Sequence, residues 1–245
     1  MSGNKRIVLI MGPPNMGKTT ALMTLANQDK MVYLNTDLKD LPFAAKFMAS
    51  VDVPDAMLVL DYIAEIENNP ACAGGVLDTA THLMNMYEAQ YVLNAADTRT
   101  AWGNYSNFYR HFIHAIKSGS KDYAIMAHED IVLNEQTMQM ESKVPIKGAV
   151  GRIGMEADFT TILTARRISV KQLEGHENSL LNITDDERED DEKCVFVTRS
   201  GGAFKGTKSR SAMGLWDRSE LYIDNNLQQV FDRLKQYYGT QEAAA

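Results

Sequence analysis

The chain has 245 residues and a mass of 27.4 kDa, with 44% hydrophobic and 23% charged residues, the proportions of a folded soluble protein long enough to bury a core without staples. Its 25 basic and 32 acidic residues leave a net charge of −7 and a pI near 5.3. That argues against coating nucleic acid by bulk charge and leaves room only for a local basic patch. Cys72 and Cys194 alone exclude a disulfide framework and a Cys-rich zinc module. No apolar run reaches the roughly 18 residues of a membrane span, and MSGNKR leads straight into a strand-like segment without a signal peptide. A cytoplasmic protein without a membrane partner is expected.

Short apolar runs alternate with helical patterns, the signature of βαβ units on a mainly parallel sheet. Arg6 to Met11 reads as a buried strand, Gly17 to Asn27 as the helix that follows, and Met31 to Leu34 as a second strand. Asp61 to Asn68 reads as a helix and Gly75 to Leu77 as a strand ending at Asp78. From Trp102 to Lys117 the apolar positions, Tyr105 and Tyr109 among them, follow a helical spacing. These aromatics could stack on bases, but the spacing favours a helix core. Tyr123 to Ala127 and Phe159 to Ala165 read as further buried strands, with a long Gly-punctuated loop, Asp130 to Asp158, between them. The acidic run Asp185 to Glu192 reads as a solvated loop. Cys194 to Thr198 and Glu220 to Ile223 suggest later antiparallel strands. A last helix is expected between an Asp224 cap and a Gly239 stop, with 241–245 a disordered tail to one domain.

The strongest motif is Gly12-Pro13-Pro14-Asn15-Met16-Gly17-Lys18-Thr19, which matches G-x-x-x-x-G-K-[ST] between a strand and a helix pattern. Its glycines allow backbone N–H groups to wrap a phosphate. Lys18 would reach the β- and γ-phosphates, and Thr19 would ligate Mg²⁺. Asp78, at the end of an apolar strand, is the matching second magnesium ligand. Asp37, beyond the second strand, is either a turn residue or a carboxylate that orients the attacking water. His128-Glu129 ends the Tyr123 strand, where His128 either packs structurally or senses the γ-phosphate. Lys143, Lys147 and Arg152 carry the following loop without an acidic neighbour, a local charge that suits a DNA backbone. Lys205, Lys208 and Arg210 could form a basic turn or a finger reaching a neighbouring subunit's γ-phosphate. No guanine-reading N-K-x-D segment and no Arg-rich kinase lid is present.

In this order of parts the chain resembles a RecA-like P-loop ATPase, and more closely the short RecA-like ATPases of tailed bacteriophages often grouped as AAA-family. The segments carrying the resemblance are GPPNMGKTT (through Thr20), VLDTATHLMNMYEAQYV, AWGNYSNFYRHF, IMAHED and GTKSR, within roughly residues 5–240. It implies an α/β fold, a mainly parallel central sheet with helices on both faces and a C-terminal β-hairpin region. It also implies ATP and Mg²⁺ at Lys18, Thr19 and Asp78, a catalytic carboxylate at Asp37 and a sensor at His128. Lys208 and Arg210 would be fingers supplied in trans by a homo-oligomer, with single-stranded DNA near Lys143 to Arg152. A role in phage recombination, annealing or replication follows, with a single-strand-binding protein as a further partner. Asp37 stands where larger recombinases of this fold carry Glu. A nucleotide-switched module with little turnover, or a nucleotide or small-molecule kinase, are the competing readings.

Overall fold

The computed structural model describes residues 3–135, 138–201 and 204–243, the side chains of 240–243 excepted. In chain order it contains β1 (Ile7–Gly12), β2 (Met31–Asn35), β3 (Ala49–Asp52), α1 (Leu58–Asn68), β4 (Gly74–Asp78), α2 (Ala80–Tyr87), α3 (Thr98–Ser118) and β5 (Asp122–His128). There follow β6 (Asp130–Asn134), β7 (Gln139–Lys143), α4 (Gly148–Ile153), β8 (Thr161–Ile168), α5 (Val170–Leu173), α6 (Asp185–Asp190), β9 (Lys193–Val197), β10 (Tyr222–Asp224) and α7 (Leu227–Ala243).

The main sheet runs β10-β9-β8-β1-β5-β4-β2-β3. Strands from β8 to β3 are parallel, and β9 and β10 are antiparallel additions at the other edge. The α/β architecture with its antiparallel C-terminal pair is therefore the one the sequence pattern leads one to expect. Alternate residues of the buried strands feed two cores. Leu9, Met11, Leu77 and Ile125 pack against α1, α2 and α3. Val8, Ile10, Val76 and Met126 pack against Leu22, Leu227, Val230, Phe231 and Leu234. Tyr105 and Tyr109 are buried in the first core, as expected of a helix face. The order also inserts β5 between β1, which carries the phosphate-loop motif, and β4, which carries Asp78.

Several local expectations are corrected. Instead of a helix from Gly17 to Asn27, the motif is followed by a 3-10 turn, Thr20–Thr24. The Thr20 and Thr24 hydroxyls donate to the Gly17 and Ala21 carbonyls, and such side-chain bonds compete with the α-helical ladder. The expected long loop after β5 is instead the antiparallel ribbon β6–β7 followed by α4. The acidic run forms α6, because Thr184 and Glu187 make a reciprocal capping box and its carboxylates crowd the favourable helix N-terminus. Residues 204–210 are an irregular segment rather than a hairpin tip, with Arg210 bridged to Ile162. Asn226, not Asp224, accepts the capping bond, from the Gln229 N–H. Helix α7 continues past Gly239 into the stretch read as a tail, and residues 244–245 lie outside those described.

Backbone approach makes two glycines opposite in character. A Cβ on Gly74 would overlap the Asp122 carbonyl oxygen, whereas one on Gly103, exposed on α3, meets nothing within 4 Å. Gly74→Ala should therefore destabilise the protein by about 1–3 kcal/mol, while Gly103→Ala should stabilise it by about 0.5–1 kcal/mol through helix propensity. Urea denaturation followed by circular dichroism separates the two.

Candidate nucleotide site

The carboxyl ends of β1, β5, β4 and β2 lie side by side and place the motif residues together. The phosphate-loop sequence leaves β1 at Gly12 and turns through Asn15 (φ 64°) and Gly17 (φ 82°), left-handed conformations that let the backbone curl. The Gly17 carbonyl accepts from Asn225 Nδ2 at 2.7 Å, which ties the loop to the segment between β10 and α7. A Cβ on Gly17 would come within 2.5 Å of that nitrogen and 3.2 Å of the Cys194 thiol. Lys18 is buried, its Nζ donating to the Gly12 and Pro13 carbonyls at 2.7 and 2.8 Å. Burial pushes its ammonium down to about 8, against the opposing pull of Asp78, Glu129 and Asp37.

Asp78 is buried at the end of β4, and Thr19 Oγ1 donates to its Oδ2 at 2.8 Å. The same oxygen accepts from Tyr33 Oη at 3.2 Å. Burial raises the Asp78 carboxyl, and the two hydroxyl donors oppose that shift. Tyr33 is itself pushed up, by burial first and Asp78 next, so it remains a donor. Nothing in a strand reading singled out Tyr33, since its side chain also fits the core, stacked 5.3 Å from Phe47.

Asp37 is anchored where β2 ends. The Thr36 N–H donates to the Asp78 carbonyl and its hydroxyl to the Thr79 carbonyl. The Asp37 carboxylate meets Lys39 Nζ at 2.9 Å and His82 Nδ1 at 3.0 Å. His82, in the first turn of α2, gives its N–H to Thr79 Oγ1 and packs edge-on against His128, with ring centroids 5.1 Å apart. His128 stands at the end of β5, its N–H donating to Thr81 Oγ1. Burial, followed by the charge of Lys18, holds the His128 imidazole below its ordinary range and favours the neutral ring. Sequence reasoning missed His82, although its place three residues after the Thr79 cap was a usable signal.

The other expected residues lie apart from this cluster. Lys208 pairs with Glu141 of its own β7 at 2.8 Å. The Arg210 guanidinium donates to the main-chain carbonyls of Glu156 and Phe159 at 2.7 and 2.8 Å, with Ala157 further off. Both cations thus have partners within the chain. Lys143 ends β7 and Arg152 is exposed on α4, while Lys147 Nζ bonds the buried Glu88 at 2.9 Å. The expectation of a purely basic loop missed this partner, which comes from the turn after α2. Glu129, fully buried, is held bidentately by Arg166 at 2.6 and 2.8 Å.

Residues 4–180 match the family described as AAA domain, and the chain belongs to that family. A search of curated proteins finds no match. Among solved structures, the crystal structure of the RadB recombinase is similar with a TM-score of 0.41 at 12% identity, over 67% of this chain and 76% of that one. A likeness of that size says nothing of activity. Among the described residues, no helix is long and apolar enough to cross a membrane.

Removing one partner of the Glu129–Arg166 pair strands a buried charge. Arg166→Ala should cost about 3–5 kcal/mol, and the charge-free pair Glu129→Gln/Arg166→Met should recover most of it. Thermal melts of the two variants against wild type give the comparison.

Proposed function

We propose that this protein is a Mg²⁺-dependent ATPase whose turnover is coupled to single-stranded DNA held along the β6–β7 ribbon and the segment Lys143 to Arg152. The observation that carries the reading is the meeting of Lys18, Thr19 and Asp78 beside a strand tip, His128-Glu129, that runs directly into the ribbon. Thr19 Oγ1 and Asp78 Oδ2 are hard oxygens 2.8 Å apart, a donor pair that suits Mg²⁺ with water and phosphate oxygens completing the shell. Held by Thr19 and Asp78, the metal would supply charge neutralisation for the β- and γ-phosphates.

The chain's own residues do the rest. Lys18 exchanges the Gly12 and Pro13 carbonyls for phosphate oxygens, a stronger charge-assisted partner. Tyr33 and Thr19 fix the Asp78 carboxylate. The ring of His128, packed on His82, faces the same strand ends. Lys143, Lys147 and Arg152 supply phosphate contacts, and the exposed Ile131, Leu133, Met138 and Met140 of the ribbon offer apolar surface for unstacked bases. The resemblance to phage RecA-like ATPases supports placing this activity in recombination, annealing or replication of phage DNA.

Steady-state ATP hydrolysis with and without long single-stranded DNA, over a salt series, tests both halves. Lys18→Ala should lower turnover at least about 100-fold. Replacing Lys143, Lys147 and Arg152 together by Ala should flatten the slope of log affinity against log salt by about 2. Hydrolysis unmoved by DNA at every salt concentration would remove the DNA half and leave the ATPase.

A further inference from the structure

A carboxylate at the end of the second strand of such a site is expected to take the proton of the attacking water itself. Here Asp37 is badly placed to do so, because both oxygens are occupied. Oδ2 meets Lys39 Nζ at 2.9 Å and Oδ1 meets His82 Nδ1 at 3.0 Å. With a cation on one oxygen and a ring nitrogen on the other, neither is free to face a water. The side chain is also one methylene shorter than glutamate. His82 lies directly against that short carboxylate.

The hydrogen bonds around His82 fix its chemistry. An ionised carboxylate only accepts, so in the neutral ring Nδ1 carries the proton shared with Asp37 and Nε2 keeps its lone pair. Thr79 Oγ1, which accepts the His82 N–H at 3.2 Å and lies 3.3 Å from Nδ1, and the edge of His128 pin the ring from two sides. Nε2 has no hydrogen-bond partner among the described residues, and the side chain is 31% exposed, so water can reach it. The charged and titratable groups around the ring come from two elements: Asp37, with its partner Lys39, after β2, and His128 at the end of β5, which itself feels the charge of Lys18. Thr79 joins this cluster directly to Asp78, its neighbour in sequence.

We propose that His82 is the general base of hydrolysis and that Asp37 is a positioning residue that orients its imidazole and stabilises the imidazolium. The inference rests on the ATPase reading above. In the step, the water oxygen forms a bond to the γ-phosphorus while its O–H bond breaks and the proton passes to His82 Nε2. The bond between the γ-phosphorus and the bridging oxygen breaks, its electron pair leaving with ADP. The imidazolium then returns its proton to phosphate or solvent. No oxidant or further reactant is needed.

The test uses the whole protein, with turnover measured as phosphate release and site integrity as the affinity for a fluorescent ATP analogue. His82→Ala and the bulkier His82→Gln should each lower kcat about 100-fold or more while keeping analogue affinity within about twofold. Added imidazole should restore part of the rate to His82→Ala and none to His82→Gln, whose side chain fills the space. Asp37→Asn should lose a similar factor, and the double variant with His82→Ala should be no slower than the worse single variant, as for residues acting as a unit. Wild-type turnover in His82→Ala, a loss that imidazole does not relieve, or losses that multiply in the double variant each overturn the assignment while leaving the ATPase reading intact. A wild-type protein without turnover overturns both, which separates the two failures.

Discussion

The carboxylate of Asp78 is held between two opposed demands, and the nucleotide site is arranged around their balance. Burial at the end of β4 favours its neutral form, while the Thr19 and Tyr33 hydroxyls and the Lys18 charge favour the ionised one. The two hydroxyls oppose the effect of burial only while they stay in position, so β4, β2 and the turn after the phosphate loop are constrained together. The same donors on one oxygen leave the group prepared for a cation. Lys18 shows the complementary condition: desolvated, with its proton held less firmly than usual, and satisfied by two carbonyls that an incoming phosphate can outcompete.

Most of the fold was legible because the buried strands are short, continuous apolar runs, and a parallel sheet demands that pattern. The phosphate loop was legible because few other sequences satisfy its spacing of glycines, lysine and threonine. What escaped was set by contacts distant in sequence. The ribbon β6–β7 carries little alternation, and it leans on residues 206 and 208 through the Ser142 N–H to the Gly206 carbonyl and the Glu141–Lys208 pair. Arg210 looked like an outward cation because its carbonyl partners, some fifty residues upstream, leave no trace in local composition. The turn after the phosphate loop was read as α-helix because periodicity does not register threonine hydroxyls competing for carbonyls. His82 was overlooked because a lone histidine in a helix is ordinary; only the approach of β2 makes it Asp37's partner.

In a chain of net charge −7, where the acidic groups sit matters more than their sum. Several acidic side chains are matched by cations within the chain. Glu88 is buried against Lys147, Glu141 is paired with Lys208, and Glu129 is sealed by Arg166. The run Asp185–Asp190 is folded into α6, in the connection between β8 and β9. Net charge therefore says little about the potential at the ribbon, where local arrangement within a Debye length of about 8–10 Å governs what a phosphate meets.

The pair Glu129–Arg166 gives this arrangement a route between its two ends. Glu129 is the residue between His128 and the first residue of β6, so it belongs at once to the nucleotide strand and to the ribbon. Its partner Arg166 also donates to the Ala165 carbonyl, and that carbonyl lies against Gly12, where a Cβ would come within 2.9 Å. A displacement of the ribbon that pulls on Glu129 must therefore move Arg166 or break a buried ion pair. The first alternative presses on the start of the phosphate loop through a contact with no room for a methyl group, and the second leaves an uncompensated charge in the interior, at a cost of several kcal/mol. Both alternatives are costly, so the ion pair and the close approach at Gly12 hold the ends of ribbon and loop in one fixed arrangement.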